Sequence, residues 1–282
     1  MTQKLIAPRT SRIAEDSLLK EVDEYFACGI KVSPGETVLD VGANIGAFAL
    51  RVAERCRGDV RLVCFEPIPA TYGALARNFQ TNEWLKKTRH MLFPLGLSSP
   101  ANAGRPLAFY NFAHFATNST CDVAGKRREF EIFFEDRCRR LTAKLGRFAA
   151  LGHLLQALAE SPAWHAVLWW TLSRWMGIEV VTVPMATLGH MLKRHQIAGV
   201  DLLKIDVEGA ELDVLLGLDA ETWPRVRQVV METHNRDGRQ DKIARLLAEN
   251  GLRQIAVTQQ RTLDNGLDSV ILTARRAGAG PA

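Results

Sequence analysis

The stretch VLDVGANIGAF, Val38 to Phe48, decides the fold. A β-branched and apolar run, Thr37 to Val41, ends in Gly42, and helix character begins at Ala47 with Phe48, Leu50, Val52 and Ala53. A continuous apolar run suits a parallel strand covered on both faces. Gly42 and Gly46 permit a tight turn and a close backbone approach by a ligand. Asn44 stands where the dinucleotide fingerprint G-x-G-x-x-G needs its second glycine, which argues against a nicotinamide dehydrogenase. Asp40 puts an acid where a phosphate cradle wants neutral or cationic groups. The turn is therefore suited to a ligand carrying an ammonium or sulfonium charge.

Working outward, strands and helices alternate. Residues 11–31 read as a helix on Leu18, Leu19, Val22, Phe26 and Ile30, before a turn at Pro34-Gly35. Strands are expected at Val60–Phe65, His90–Leu97, Ile178–Val183, Val200–Asp206 and Val226–Glu232. Helices are expected at Pro69–Trp84, Leu188–His195, from Ala210 to Leu216 and at Gln240–Asn250. Arg253–Thr258 and Ser269–Ala274 read as a closing antiparallel hairpin. Such alternation predicts an α/β fold with a mostly parallel sheet and helices on both faces. Residues 124–176 break the pattern. They combine a basic amphipathic stretch with two apolar helical segments holding four of the six tryptophans, and read as an inserted helical hairpin packing on the domain or, functionally, as an inserted helical lid over a substrate pocket.

Composition narrows the classes. With 282 residues, 47% hydrophobic and 24% charged, the chain is neither disordered nor collagen-like. No run reaches the ~18 apolar residues of a membrane span. The first residues, MTQKLIAPRTSR, lack the apolar core of a secretory signal. Five scattered cysteines form no C-x-x-C pair, so the expected compartment is the cytoplasm. The net charge of +5 is concentrated between Lys126 and Arg147, where eight Lys/Arg face four acids. Nucleic-acid binding would call for basic stripes interleaved with aromatics over a wide face, so a nucleic-acid partner is not expected.

Three further segments carry chemistry. Glu66 ends the second strand, 20 residues after Gly46, where a carboxylate can accept both hydroxyls of a ribose. LLKIDVEGAELDVL, Leu202 to Leu215, ends its strand in Asp206 and Glu208. VVMETHN, Val229 to Asn235, ends in Glu232, His234 and Asn235. Ligands of open parallel sheets sit beyond the carboxyl ends of the strands, so these groups converge on one edge. Glu211 reads as a first-turn acid complementing its helix dipole, and Asn118-Ser119-Thr120 as a loop.

VLDVGANIG, FEP, KIDVEGAELDVL and VVMETH, in this order, resemble the FkbM family of S-adenosylmethionine-dependent methyltransferases. The resemblance covers about residues 20–275 and implies a class I methyltransferase (Rossmann-like) three-layer sandwich. Its sheet has seven strands, mostly parallel, with the last antiparallel. An N-terminal helical segment (1–35), a methyltransferase domain (36–275) and a frayed tail (276–282) are then expected. The resemblance implies that Asp40, Gly42, Asn44 and Gly46 line the methionine end of the donor. Glu66 would hold the ribose, and Leu97-Ser98 would flank the adenine. Asp206 would serve both donor and chemistry. His234 is the expected general base, because imidazole titrates near neutrality. Asp206 is the alternative base, and Glu232 would orient the imidazole or hold an acceptor hydroxyl. Asp206, Glu208, Glu232 and His234 also suit Mg²⁺ or another divalent cation. The expected reaction is O-methylation of a natural product, either a sugar or a polyketide. A polyketide could arrive on an acidic acyl carrier protein docked near Lys126–Arg147. A nucleic-acid methyltransferase and a non-catalytic S-adenosylmethionine-binding module are the alternatives.

Overall fold

The computed structural model describes residues 4–8, 15–112, 120, 161, 166–167, 170–171, 174, 177–234, 238–259 and 269–276. The basic run Lys126–Arg147, nearly all of the 124–176 segment and the tail beyond Arg276 lie outside the described residues. No helix among the described residues is long and apolar enough to cross a membrane.

In chain order the strands are β1 (Thr37–Val41), β2 (Arg61–Phe65), β3 (Arg89–Phe93), β4 (Gly96–Leu97), β5 (Leu107–Phe112) and β6 (Ile178–Val183). There follow β7 (Met185–Ala186), β8 (Leu202–Ile205), β9 (Gln228–His234), β10 (Leu252–Gln259) and β11 (Ser269–Arg276). Seven of them form one sheet in the order β3-β2-β1-β8-β9-β11-β10. Only β11 runs against its neighbours, pairing antiparallel with both β9 and β10. The expected class I topology is therefore present. The order reverses between β1 and β8, and the crevice at such a reversal is where open α/β sheets bind ligands.

The two-residue period of the strands sorts the core. Val38, Leu62, Cys64, Leu202 and Val230 face α1 (Glu15–Ala27), α2 (Ala47–Arg55) and α3 (Pro69–Thr81). Leu39, Val41, Val63, Phe65, Leu203, Ile205 and Met231 face the other side, under the helices Leu188–Arg194, Glu211–Leu216 and Arg239–Glu249. The N-terminal segment shares this core, because Leu18, Val22 and Tyr25 of α1 are buried in it. Residues 4–8 are pinned by Asn78 of α3, whose Nδ2 donates to the carbonyls of Ile6 (2.9 Å) and Ile45 (2.8 Å).

Two strand expectations are corrected. The third strand stops at Phe93, next to Pro94, which has no N–H for the ladder; Gly96–Leu97 pairs instead with Met185–Ala186. Ile178–Val183 does not enter the large sheet. It pairs antiparallel with Leu107–Phe112, a strand the sequence reading passed over. Its faces are largely open to solvent, unlike the fully covered parallel strands. These two strands bracket residues 113–177, so the insertion leaves the fold through a β-ribbon that starts before residue 124.

The close approach of β1 and β8 depends on Gly42, at φ 77°. A Cβ there would lie 1.8 Å from the carbonyl oxygen of Asp206. Gly42→Ala is expected to cost more than about 2 kcal/mol in urea denaturation, through backbone strain and displacement of the β8 tip. Gly199→Ala, with open space around its Cβ, is expected to be near neutral.

Candidate active site

A lysine lies at the centre of the site. Asp40 and Lys204 are partners in the β1–β8 register, so their side chains leave the sheet on the same face. Both are buried, and Lys204 Nζ lies 3.1 Å from Asp40 Oδ1. The same ammonium donates to the Gly42 carbonyl at 2.8 Å and lies 3.5 Å from Asp206 Oδ2. Burial works against the Lys204 charge, but Asp40 and Asp206 outweigh it and hold its pKa above the ordinary value. Burial also raises the Asp40 carboxyl, and Lys204 pulls it back. Asp40 has 0% exposure, so it supports the turn from beneath, while Asp206, at 28% side-chain exposure, opens to the crevice.

The Gly42–Gly46 turn sits above this pair. Gly42 and Ala43 donate N–H to the Phe65 carbonyl, 3.0 Å each, which fixes the turn to the tip of β2. Asn44 (φ 50°) and Gly46 (φ 93°) complete the bend into α2. Glu66 follows β2 with both oxygens aimed by backbone: Asn44 N–H donates to Oε2 and Ile68 N–H to Oε1, each at 2.9 Å. Burial lifts its pKa to about 7, against the lowering effect of these two hydrogen bonds. Each carboxylate oxygen retains a lone pair for a further donor, which suits a vicinal diol.

The strand tips form a wall of acids. One step past the paired residues Ile205 and Met231 stand Asp206 and Glu232. α1 covers them. The Tyr25 hydroxyl lies 3.3 Å from Asp206 Oδ2 and 3.2 Å from Glu232 Oε2 and donates to both. One turn earlier, Glu21 brings a third carboxylate, and oxygens of Glu21, Asp206 and Glu232 lie within 4.8 Å of one another. Burial, then the charges of Asp206 and Glu208, push Glu21 up to about 7. Two like charges ~4 Å apart at an effective dielectric of ~20 repel by roughly 4 kcal/mol, so Lys204 and Tyr25 are what make this crowding tolerable.

The remaining predicted residues divide. Glu208 lies on the turn after β8, at φ 52°, with its carbonyl held by Thr120 Oγ1 at 2.8 Å; its side chain is not in the acid trio. Glu211, buried and raised to about 7 by burial, folds back to accept the Gly209 N–H at 2.7 Å. It lies 3.9 Å from Arg239, which also donates to the Gly209 carbonyl, so Glu211 braces the turn as well as beginning its helix. Ser98 is tied to Asn102 (3.1 Å, accepting at Oγ) and to the Ala186 carbonyl, and its own carbonyl backs onto Gly217. His234 ends β9, but its side chain and Asn235 lie outside the described residues. Sequence reasoning missed Lys204, Glu21 and Tyr25. A lone lysine within LLKI demanded a buried partner, and Glu21 and Tyr25 share an i, i+4 spacing on a helix read only for packing.

Comparisons with known proteins bear on this arrangement. Residues 40–253 match the methyltransferase FkbM domain. The chain is 30% identical to 31-O-demethyl-FK506 methyltransferase FkbM of Streptomyces tacrolimicus, over 89% of this chain and 85% of that one. It is 29% identical to methyltransferase sdnD of Sordaria araneosa, over 94% and 92%. It is also 32% identical to part of the AMB antimetabolite synthetase AmbE of Pseudomonas aeruginosa, over 91% of this chain but 11% of that protein.

Removing the central ammonium should unbalance the site. Lys204→Met is expected to cost about 3–5 kcal/mol in chemical denaturation, because Asp40 is left buried without its counter-charge. Asp40→Asn combined with Lys204→Met should cost clearly less than the two single losses added together.

Proposed function

The chain belongs to the FkbM family and is an S-adenosylmethionine-dependent methyltransferase; from that premise we propose that it methylates a hydroxyl of a natural-product acceptor at the wall formed by Asp206 and Glu232. The bound donor supplies an electrophilic methyl carried on a sulfonium sulfur. The chain's own task is to seat donor and acceptor in line and to take a proton. Glu66 accepts the ribose hydroxyls, and the Gly42–Gly46 turn lies against the methionine end. Asp40 acts through Lys204, holding the turn in place, and Asp206 offers its open carboxylate to both substrates. Glu232 holds the acceptor hydroxyl, with His234 and Asp206 nominated by the sequence to take its proton. Reacting atoms must be held roughly 3–3.5 Å apart, and alignment of this kind supplies much of the rate of such a displacement.

The observation that carries this reading is Glu66, buried beside a glycine turn with both oxygens aimed by backbone N–H groups. O-methylation of a natural product is supported by the similarity to a named FK506 methyltransferase. Delivery on an acidic acyl carrier protein at Lys126–Arg147 is supported by the charge of that segment and by the similarity to part of a synthetase. Transfer from a carrier should then slow steeply with added salt.

A divalent cation fits this donor set poorly. Among the described side chains of the expected set, Asp206 and Glu232 meet, together with Glu21, while Glu208 stays outside the trio, and both Asp206 and Glu232 accept the Tyr25 hydroxyl. Lys204 already stands 3.5 Å from Asp206 as a resident cation. The transfer is therefore read without a metal, and chelator treatment is expected to leave it unchanged.

Calorimetry with S-adenosylmethionine tests the donor seat. Wild-type protein should bind it, and Glu66→Ala should weaken binding at least about 10- to 100-fold, the loss of a single charge-assisted hydrogen bond worth ~1.5–3 kcal/mol. Binding should also tighten as pH rises through about 7, because the ionised Glu66 is the better acceptor and its pKa lies there. Equal affinity of wild type and Glu66→Ala would move the donor elsewhere.

A further inference from the structure

The family match begins at residue 40, whereas α1 spans Glu15–Ala27. Even so, α1 reaches the strand tips. Tyr25 is 1% exposed, and its two ends do different things. Its ring meets Phe48 edge-on, with centroids 6.0 Å apart. Phe48 lies in the first turn of α2, two residues after Gly46, and so belongs to the element that carries the donor turn. Its hydroxyl lies almost equally far from Asp206 Oδ2 (3.3 Å) and Glu232 Oε2 (3.2 Å). Both distances are long for a hydroxyl donor, as expected when one proton is shared between two carboxylates. The Tyr25 hydroxyl thus links the two acids.

We propose that Tyr25 is a positioning residue for methyl transfer: its ring registers α1 on the donor helix, and its hydroxyl fixes Asp206 and Glu232 on the acceptor side. This assignment rests on the function proposed above. It follows from the packing, because a tyrosine gripped at its ring cannot move its hydroxyl without moving α2. Lys204 ties the turn to Asp206 from below, and Tyr25 extends that spacing to Glu232 from α1. Without the hydroxyl, Asp206 still has Lys204, but Glu232 loses its tie to Asp206. The two carboxylates then separate, and an acceptor held by Glu232 drifts from the line of transfer. A misplacement of about 1 Å can cost ~100-fold in rate while leaving donor binding intact. Other charged groups facing this point are Glu21 on α1, Asp40 on β1, and Lys204 and Glu208 on and after β8. Lys204 also faces α2, with its Nζ 5.9 Å from the Phe48 ring centroid, so it and Tyr25 meet the donor helix at the same ring.

The test compares wild type with Tyr25→Phe, which keeps the ring and deletes the shared donor. Transfer of labelled methyl from S-adenosylmethionine is followed to two hydroxyl probes, methyl α-glucoside and the N-acetylcysteamine thioester of 3-hydroxybutyrate. Donor affinity is measured by calorimetry and the melting midpoint by thermal unfolding. The assignment predicts that Tyr25→Phe lowers kcat about 10- to 100-fold, changes the donor Kd less than twofold and melts within a few degrees of wild type. Unchanged kcat would overturn it and leave Tyr25 a packing residue. Lost donor binding or a collapsed midpoint would also overturn it, placing the effect in the donor seat or the fold. Wild-type protein that binds donor but methylates neither probe would overturn the acceptor reading on which the assignment stands. Wild-type protein that binds no donor would overturn the donor seat itself.

Discussion

A single buried ammonium holds the functional edge of this protein together. Lys204 sits, buried, in a strand that is otherwise Leu, Leu and Ile. It is tolerated there because Asp40, its register partner on β1, lies 3.1 Å away and the Gly42 carbonyl accepts a hydrogen bond from it at 2.8 Å. The same charge reaches Asp206 at 3.5 Å. One cation therefore pairs with Asp40 on the strand beneath the Gly42–Gly46 turn, with a carbonyl of that turn and with the first acid of the opposing wall. A buried pair of this kind adds little net stability against an apolar substitute, but losing one partner is costly. Its contribution is geometric, since it fixes β1 against β8 at the point where the sheet order reverses.

From that point the site divides into two halves with different needs. On the β2 side, Glu66 is buried and aimed by backbone N–H groups, an arrangement that suits the proposed acceptor of a diol. On the β8–β9 side, carboxylates are crowded more closely than their charges favour, and the crowding is relieved by Lys204 below and Tyr25 above. The turn after β8 is braced separately by Glu211, Arg239 and Thr120. That bracing keeps Glu208 in its left-handed conformation and Asp206 against Gly42.

The fold was legible because its signals are local. Apolar runs ending in glycine or acid mark parallel strands, and the closing hairpin marks the antiparallel end of the sheet. Asp40, Gly42, Glu66, Asp206 and Glu232 were legible as strand-tip residues. Their division of labour was not. Asp40 reads as a rim acid until the register with Lys204 is known, because burial depends on what covers a strand. Tyr25 and Glu21 were hidden for a related reason. An amphipathic helix announces its apolar face, whereas the partner of a polar group on that face lies 181 residues away in the sequence. Ile178–Val183 misled because an apolar strand carries no label for the sheet it joins, and its true partner, Leu107–Phe112, adjoins the segment that interrupts the alternation.

The account is tested most directly by a crystal structure of the protein with S-adenosylhomocysteine. It predicts both ribose hydroxyls within hydrogen-bonding distance of Glu66, and the sulfur directed at the space between Asp206, Glu232 and the Tyr25 hydroxyl. A product molecule whose ribose lies away from Glu66, or whose sulfur points away from the β8 and β9 tips, would contradict it.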